Sequence, residues 1–177
     1  MNKIRVLTLT VALLLTTTAA ATAEEPRHAA GVSGSARVHY AYSPDDDIRF
    51  RFDAHAAPYS RPTPEAPGGL PTDARGTVRF SHARDGVTYT AEAEVDCLLT
   101  GGPVATLTAV LTGSSHGRLP IGARLGFSVL DGRPDRMGFS WGVADGTDLR
   151  PCLAPAPFAP VVEGGFRVRH GDLPPLP

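Results

Sequence analysis

Ile48-Arg49-Phe50-Arg51-Phe52-Asp53-Ala54-His55 alternates apolar and polar side chains without a fault. A period of two marks a β-strand with one face buried, because successive side chains leave a pleated strand on opposite sides. Ile48, Phe50, Phe52 and Ala54 are therefore predicted to face a core, and Arg49, Arg51, Asp53 and His55 to face out. The pattern returns in Val87-Thr88-Tyr89-Thr90-Ala91-Glu92-Ala93-Glu94-Val95, with the odd-numbered residues inward and Thr88, Thr90, Glu92 and Glu94 outward. An outer face carrying Arg49, Arg51 and Arg79 beside Glu92 and Glu94 invites cross-strand ion pairs, each of small worth.

Further strands are predicted on both sides of these two. Residues 104–112 are rich in Val, Thr and Leu between glycines, and 137–143 place large apolar residues on one face. Weaker alternation covers 36–42, 76–82, 125–130 and 166–170. No segment carries a helical stripe. Arg84-Asp85-Gly86, Asp131-Gly132-Arg133-Pro134-Asp135 and Gly101-Gly102-Pro103 supply turn chemistry between consecutive strands. The expected fold is all-β: a meander of about eight antiparallel strands, closed as a β-sandwich or a barrel.

Two stretches read as neither strand nor helix. Residues 58–71 hold five prolines and two glycines and read as a long exposed loop. Residues 151–160 hold four prolines around Cys152 and read as an extended segment with few ladder bonds, since proline has no N–H.

The N-terminus reads as an export signal. Lys3 and Arg5 precede an apolar run from Val6 to Leu15, and Ala21-Thr22-Ala23 offers small residues where a signal peptidase cuts. Cleavage is predicted between Ala23 and Glu24. Residues 1–23 are then a cleaved signal peptide, 24–171 a single all-β domain and 172–177 a frayed tail. The run is about half the ~20 residues a membrane span needs. No later stretch is apolar enough to span, and no cysteine follows for lipid attachment. The product is expected to be secreted, either free or associated with the cell wall.

Removing residues 1–23 leaves 15 arginines against 18 carboxylates, a net charge of −3. That whole-chain balance gives no electrostatic reason to bind nucleic acid or an acidic membrane. Lys3 is the only lysine, so the exported chain has none for Schiff-base chemistry. Cys97 and Cys152 are the only cysteines, and an even pair in an exported protein reads as a disulfide. It would close a loop of about 55 residues, worth ~4 kcal/mol in the chain-entropy model. The alternatives are free thiols or a metal site, for which two sulfurs without a nearby histidine pair are a poor set.

Candidate chemistry is sparse. Gly138-Phe139-Ser140-Trp141-Gly142 matches G-x-S-x-G, with Asp145 or Asp148 and His170 following in hydrolase order. A nucleophile elbow needs a strand, a sharp turn and a helix, whereas Ser140 is predicted in mid-strand before a turn. The glycines instead read as room for Trp141 or a neighbouring strand to pack closely. Asp45-Asp46-Asp47 precedes a strand without calcium-loop spacing and reads as a polar turn. His28, His39, His55, His82, His116 and His170 show no metal-ligand spacing, and His82 shares parity with Phe80 at the edge of the core. Tyr40, Tyr42 and Tyr59 are the aromatics placed to stack on a sugar or peptide, although Tyr40 and Tyr42 share one face and suit a core equally. No catalytic residue, cofactor or metal ligand is assigned.

Asp47–His55 (DIRFRFDAH), 74–82 (ARGTVRFSH), 95–102 (VDCLLTGG) and 124–142 (RLGFSVLDGRPDRMGFSWG) resemble segments of secreted actinobacterial proteins labelled repetin-like. The resemblance runs from about Asp45 to Phe166. It implies secretion and a β-fold, and the label carries no activity or site residue. A non-enzymatic binding or envelope-associated domain is the expected role, with a cell-wall component or a small molecule as partner. The alternatives are a hydrolase with a loop-built site and a carrier with a barrel cavity.

Overall fold

The computed structural model describes residues 29–115, 119–140 and 149–175. The predicted signal peptide and Ala23/Glu24 cleavage site, His28, His116, Trp141, Gly142, Asp145 and Asp148 lie outside the described residues. Eight strands follow one another: β1 Gly31–Val38, β2 Asp47–Ala56, β3 Ala74–Arg84, β4 Val87–Gly101, β5 Val104–Ser114, β6 Arg124–Leu130, β7 Arg136–Phe139 and β8 Ala159–Arg169. Each pairs antiparallel with its neighbour in sequence, and β8 returns to β1. The meander is therefore a closed barrel and not a sandwich.

The parity of the opening stretch holds. Ile48, Phe50, Phe52 and Ala54 are buried, and Arg49, Arg51, Asp53 and His55 are exposed. Eight strands enclose a space that side chains just fill. Here Phe50 sits 5.3–6.3 Å, centroid to centroid, from Phe52, Phe80, Phe127 and Phe139. Ala91, Ala93, Ala105 and Ala109 are buried on β4 and β5. Small residues there leave room for the rings: Ala93, Ala105 and Ala109 are fully buried, and Ala91 borders a recess at the barrel mouth. A charged outer face over an apolar interior is the reverse of a barrel that spans a bilayer.

Three elements differ from expectation. β1 lies at Gly31–Val38, upstream of the predicted 36–42. Its Gly and Ser residues carry little β signal, yet its backbone pairs with both β2 and β8. β8 begins at Ala159 because Pro160, Gly164 and Gly165, which read as breakers, are accommodated in the closing strand. In β4 the alternation breaks at an irregularity between Val95 and Cys97, and Val95, Asp96, Cys97 and Leu98 are all buried.

That break places Cys97 against the proline-rich stretch. The Cys97–Cys152 disulfide is formed, with Cα atoms 5.3 Å apart. Residues 149–158 form a strap over the outside of β5, β6 and β7. The Cys152 N–H donates to Thr108 Oγ1, Ser128 Oγ donates to the Pro155 carbonyl, and the Phe158 N–H donates to the Met137 carbonyl. Glycine is required beneath it, since a Cβ at Gly126 or Gly138 would strike the Leu153, Pro155 or Ala156 carbonyls. Under the strap, Asp96 accepts from Thr108 Oγ1 and from Arg124 Nε, each at 2.6 Å.

At the other end of the barrel, Asp73 accepts the Arg61 and Leu70 N–H groups and organises the 58–71 loop. The Tyr59 hydroxyl there donates to the Pro175 carbonyl at 2.7 Å.

Candidate functional site

Up-and-down order sends the β1–β2, β3–β4, β5–β6 and β7–β8 connections to one end of the barrel. The β3–β4 connection is a two-residue turn with Asp85 and Gly86 both at positive φ, as the Asp-Gly pair predicts. Its neighbour across the mouth, the β1–β2 loop, is tied down by Asp46. That side chain is nine-tenths buried, and its Oδ2 lies 2.5 Å from His82 Nε2 on β3.

His82 faces inward beside Phe80 and Tyr89. With Ala91, Ser114 and Leu119 these residues line a recess of about 290 Å³ at the barrel mouth. Its floor is the Phe80 ring of the core and its polar groups are His82, Tyr89 and hydroxyls. Such a recess accepts a small, largely apolar group with a hydrogen-bonding substituent.

An aromatic cluster sits on the same end. Tyr40 packs 5.3 Å from Phe139 and 6.0 Å from Phe158, and Tyr42 lies 5.4 Å from Tyr40 with 86% of its surface exposed. The sharing of one face by Tyr40 and Tyr42 thus splits into a half-buried ring and a solvent-facing one. Every connection at this end displays a large apolar side chain: Tyr42 on β1–β2, Val87 at the β3–β4 tip, Ile121 on β5–β6 and Phe158 before β8. At the opposite end only Leu70 and Leu173 do so among the described residues.

The other sequence candidates are dispersed. Ser140 is buried, and it extends the β6 edge: its hydroxyl accepts the Gly126 N–H at 2.9 Å, and its own N–H donates to the Gly126 carbonyl. The G-x-S-x-G serine is thus a ladder residue, and Gly138 makes room for the strap rather than for a strand. Asp46 turns to His82, and Asp47 accepts from Arg49 Nε at 3.0 Å. Among the described residues no three His, Cys, Asp or Glu side chains gather as a metal ion requires. His55 lies 2.8 Å from Asp53, and His170 lies 3.2 Å from Thr100.

On the outer wall, Arg79 pairs with Glu92 through two bonds of 2.9 and 3.1 Å. Arg37 and Arg49 share Glu163. Hydrogen bonds from Arg79 hold the Glu92 carboxyl below its ordinary pKa, and those from Arg49 do the same for Glu163. The same bonds raise both guanidinium values.

Sequence reasoning singled out His82 by parity but had no sign of Asp46 as its partner, because the two are joined only by the β2–β3 pairing. Against models of protein families, curated proteins and solved structures, the chain finds no match.

Proposed function

We propose that this chain is an exported, non-enzymatic binding domain that holds its ligand at the barrel end bearing Tyr42, Val87, Ile121 and Phe158. The observation that carries this reading is the exposed apolar residue on each of the four connections there. Grouped apolar exposure around a recess is the mark of a recognition surface. The recess beneath suits a small apolar ligand or side chain, which keeps the carrier role as a variant of the same reading. The disulfide is compatible with the extracellular side of the membrane, where the N-terminal signal would send the chain.

A hydrolase is less well supported, since the Ser140 hydroxyl bonds a backbone N–H in the ladder. The test uses the neutral fluorophore N-phenyl-1-naphthylamine and the chain from Glu24 onward. The wild type should enhance its emission, and a Tyr42→Ser/Ile121→Ser double variant should bind it several-fold more weakly. No enhancement by the wild type, or equal binding by the variant, would overturn the proposal.

A further inference from the structure

The register of the strands arranges outward side chains in rows. Across β8, β1, β2 and β3, one row reads Arg169, Gly31, His55, Arg75. The next reads Arg167, Ser33, Asp53, Thr77; then Gly165, Ser35, Arg51, Arg79; then Glu163, Arg37, Arg49, Ser81. With Asp47 beyond the last row, this face carries seven arginines and three carboxylates, a formal charge of +4. Elsewhere among the described residues six arginines stand against eleven carboxylates, or −5. The barrel is therefore strongly polarised although its total charge is small.

Three of the seven arginines are paired in place: Arg37 with Glu163, Arg49 with Glu163 and Asp47, and Arg79 with Glu92 on β4. Arg51, Arg75, Arg167 and Arg169 make no side-chain ion pair or hydrogen bond among the described residues, and all are exposed. Arg51 even stands directly across from Arg79. Like charges placed opposite one another cost stability, and an anionic partner would relieve that cost. Neighbouring strands lie about 4.8 Å apart, so Arg75 and Arg169, at the two ends of one row, are roughly 14 Å apart across the face. That is the span of an extended polymer rather than of a single small ion.

We infer that the outer face of β8, β1, β2 and β3 docks an anionic polysaccharide, its acid groups paired with Arg51, Arg75, Arg167 and Arg169. The short hydroxyls between the arginines, Ser33, Ser35, Thr77 and Ser81, suit sugar hydroxyls. Single-stranded nucleic acid is disfavoured because these rows carry no Phe, Tyr or Trp platform, and their one ring, His55, is held 2.8 Å from the Asp53 carboxylate. An anionic bilayer is disfavoured because Val162 is the single large apolar side chain exposed on these four strands, too little to insert. This face is separate from the barrel mouth and leaves the reading of that end unaffected.

The test measures binding of the disulfide-bonded chain from Glu24 onward to polygalacturonate in low salt, with single-stranded DNA and phosphatidylglycerol vesicles in parallel. Arg51→Gln/Arg75→Gln/Arg167→Gln should bind polygalacturonate at least tenfold more weakly. Arg84→Gln/Arg133→Gln/Arg150→Gln, with the same charge change elsewhere, should lose less than twofold. Binding should also fall steeply on adding salt, as screening requires. Circular dichroism and urea midpoints equal to wild type would show both variants folded. Equal losses in the two variants, no binding by the wild type, or tighter binding to DNA or vesicles would each overturn the inference.

Discussion

The barrel is closed in two different ways. From β2 to β5 the ladders are long, eight to ten residue pairs each, as from Asp47↔Ala83 to Ala56↔Ala74 between β2 and β3. Between β7 and β8 the ladder shrinks to Arg136↔Pro160 and Met137↔Ala159. There carboxylates do the work of a strand: Asp135 accepts the Phe166 N–H at 2.7 Å and the Gly132 N–H at 2.9 Å, and Asp131 accepts the Val168 N–H at 2.9 Å. The strap and its disulfide cover the adjoining wall. A short strand thus suffices when side chains satisfy the edge it leaves open, and a buried donor must find some acceptor.

The largest expected effect strikes the continuous half. Phe50→Ala removes the ring at the centre of the aromatic core and should cost about 3–5 kcal/mol in urea unfolding, with protection lost across all strands. Replacing Cys97 and Cys152 together by serine should cost about 2–4 kcal/mol through the freed unfolded chain. Its hydrogen exchange should rise first in the strap, and uniform loosening would mean the two halves unfold as one.

Asp135→Ala leaves two backbone donors without their acceptor and should cost about 2 kcal/mol. Amide exchange should quicken at Phe166 while β2 and β3 stay protected. If β2 and β3 loosened equally, the distinction between ladder and seam would fail.

The smallest effect is on the outer wall. Glu92 should titrate below its ordinary value of 4.5 by NMR, and Arg79→Gln should move that midpoint upward. Because the folded value is depressed, the pair's stabilisation is present above the unfolded value and fades as pH falls through the folded one. Both groups are exposed, so the urea midpoint at neutral pH should hardly move.

Much of the continuous half was legible. The alternation at 48–55 and 88–95 assigned inward and outward residues correctly because it reports a local geometry, repeated every second residue; Val87, expected inward, is exposed because it sits at the turn, past the end of the core. The seam was illegible: Asp131 and Asp135 read as turn residues, and nothing near them in sequence points to the N–H groups of Phe166 and Val168. β1 and most of β8 were obscured by Gly, Ser and Pro, which pair in a ladder only because a partner strand is already there. At the candidate site, Tyr40, Tyr42 and His82 were visible as residue types. Their gathering with Ile121 and Phe158 was not.

By itself, then, the sequence determined an all-β chain, the inward face of its strongest strands and a single cysteine pair available to staple it. These follow from side-chain chemistry and from contacts between near neighbours in the chain. Only the tertiary structure decided that the meander closes as a barrel, that a strap lies over glycines on its wall, that apolar tips ring one mouth and that arginines from four strands share one basic face. Each of those depends on register between strands far apart in the chain, where one residue of slip would turn every side chain to the opposite side.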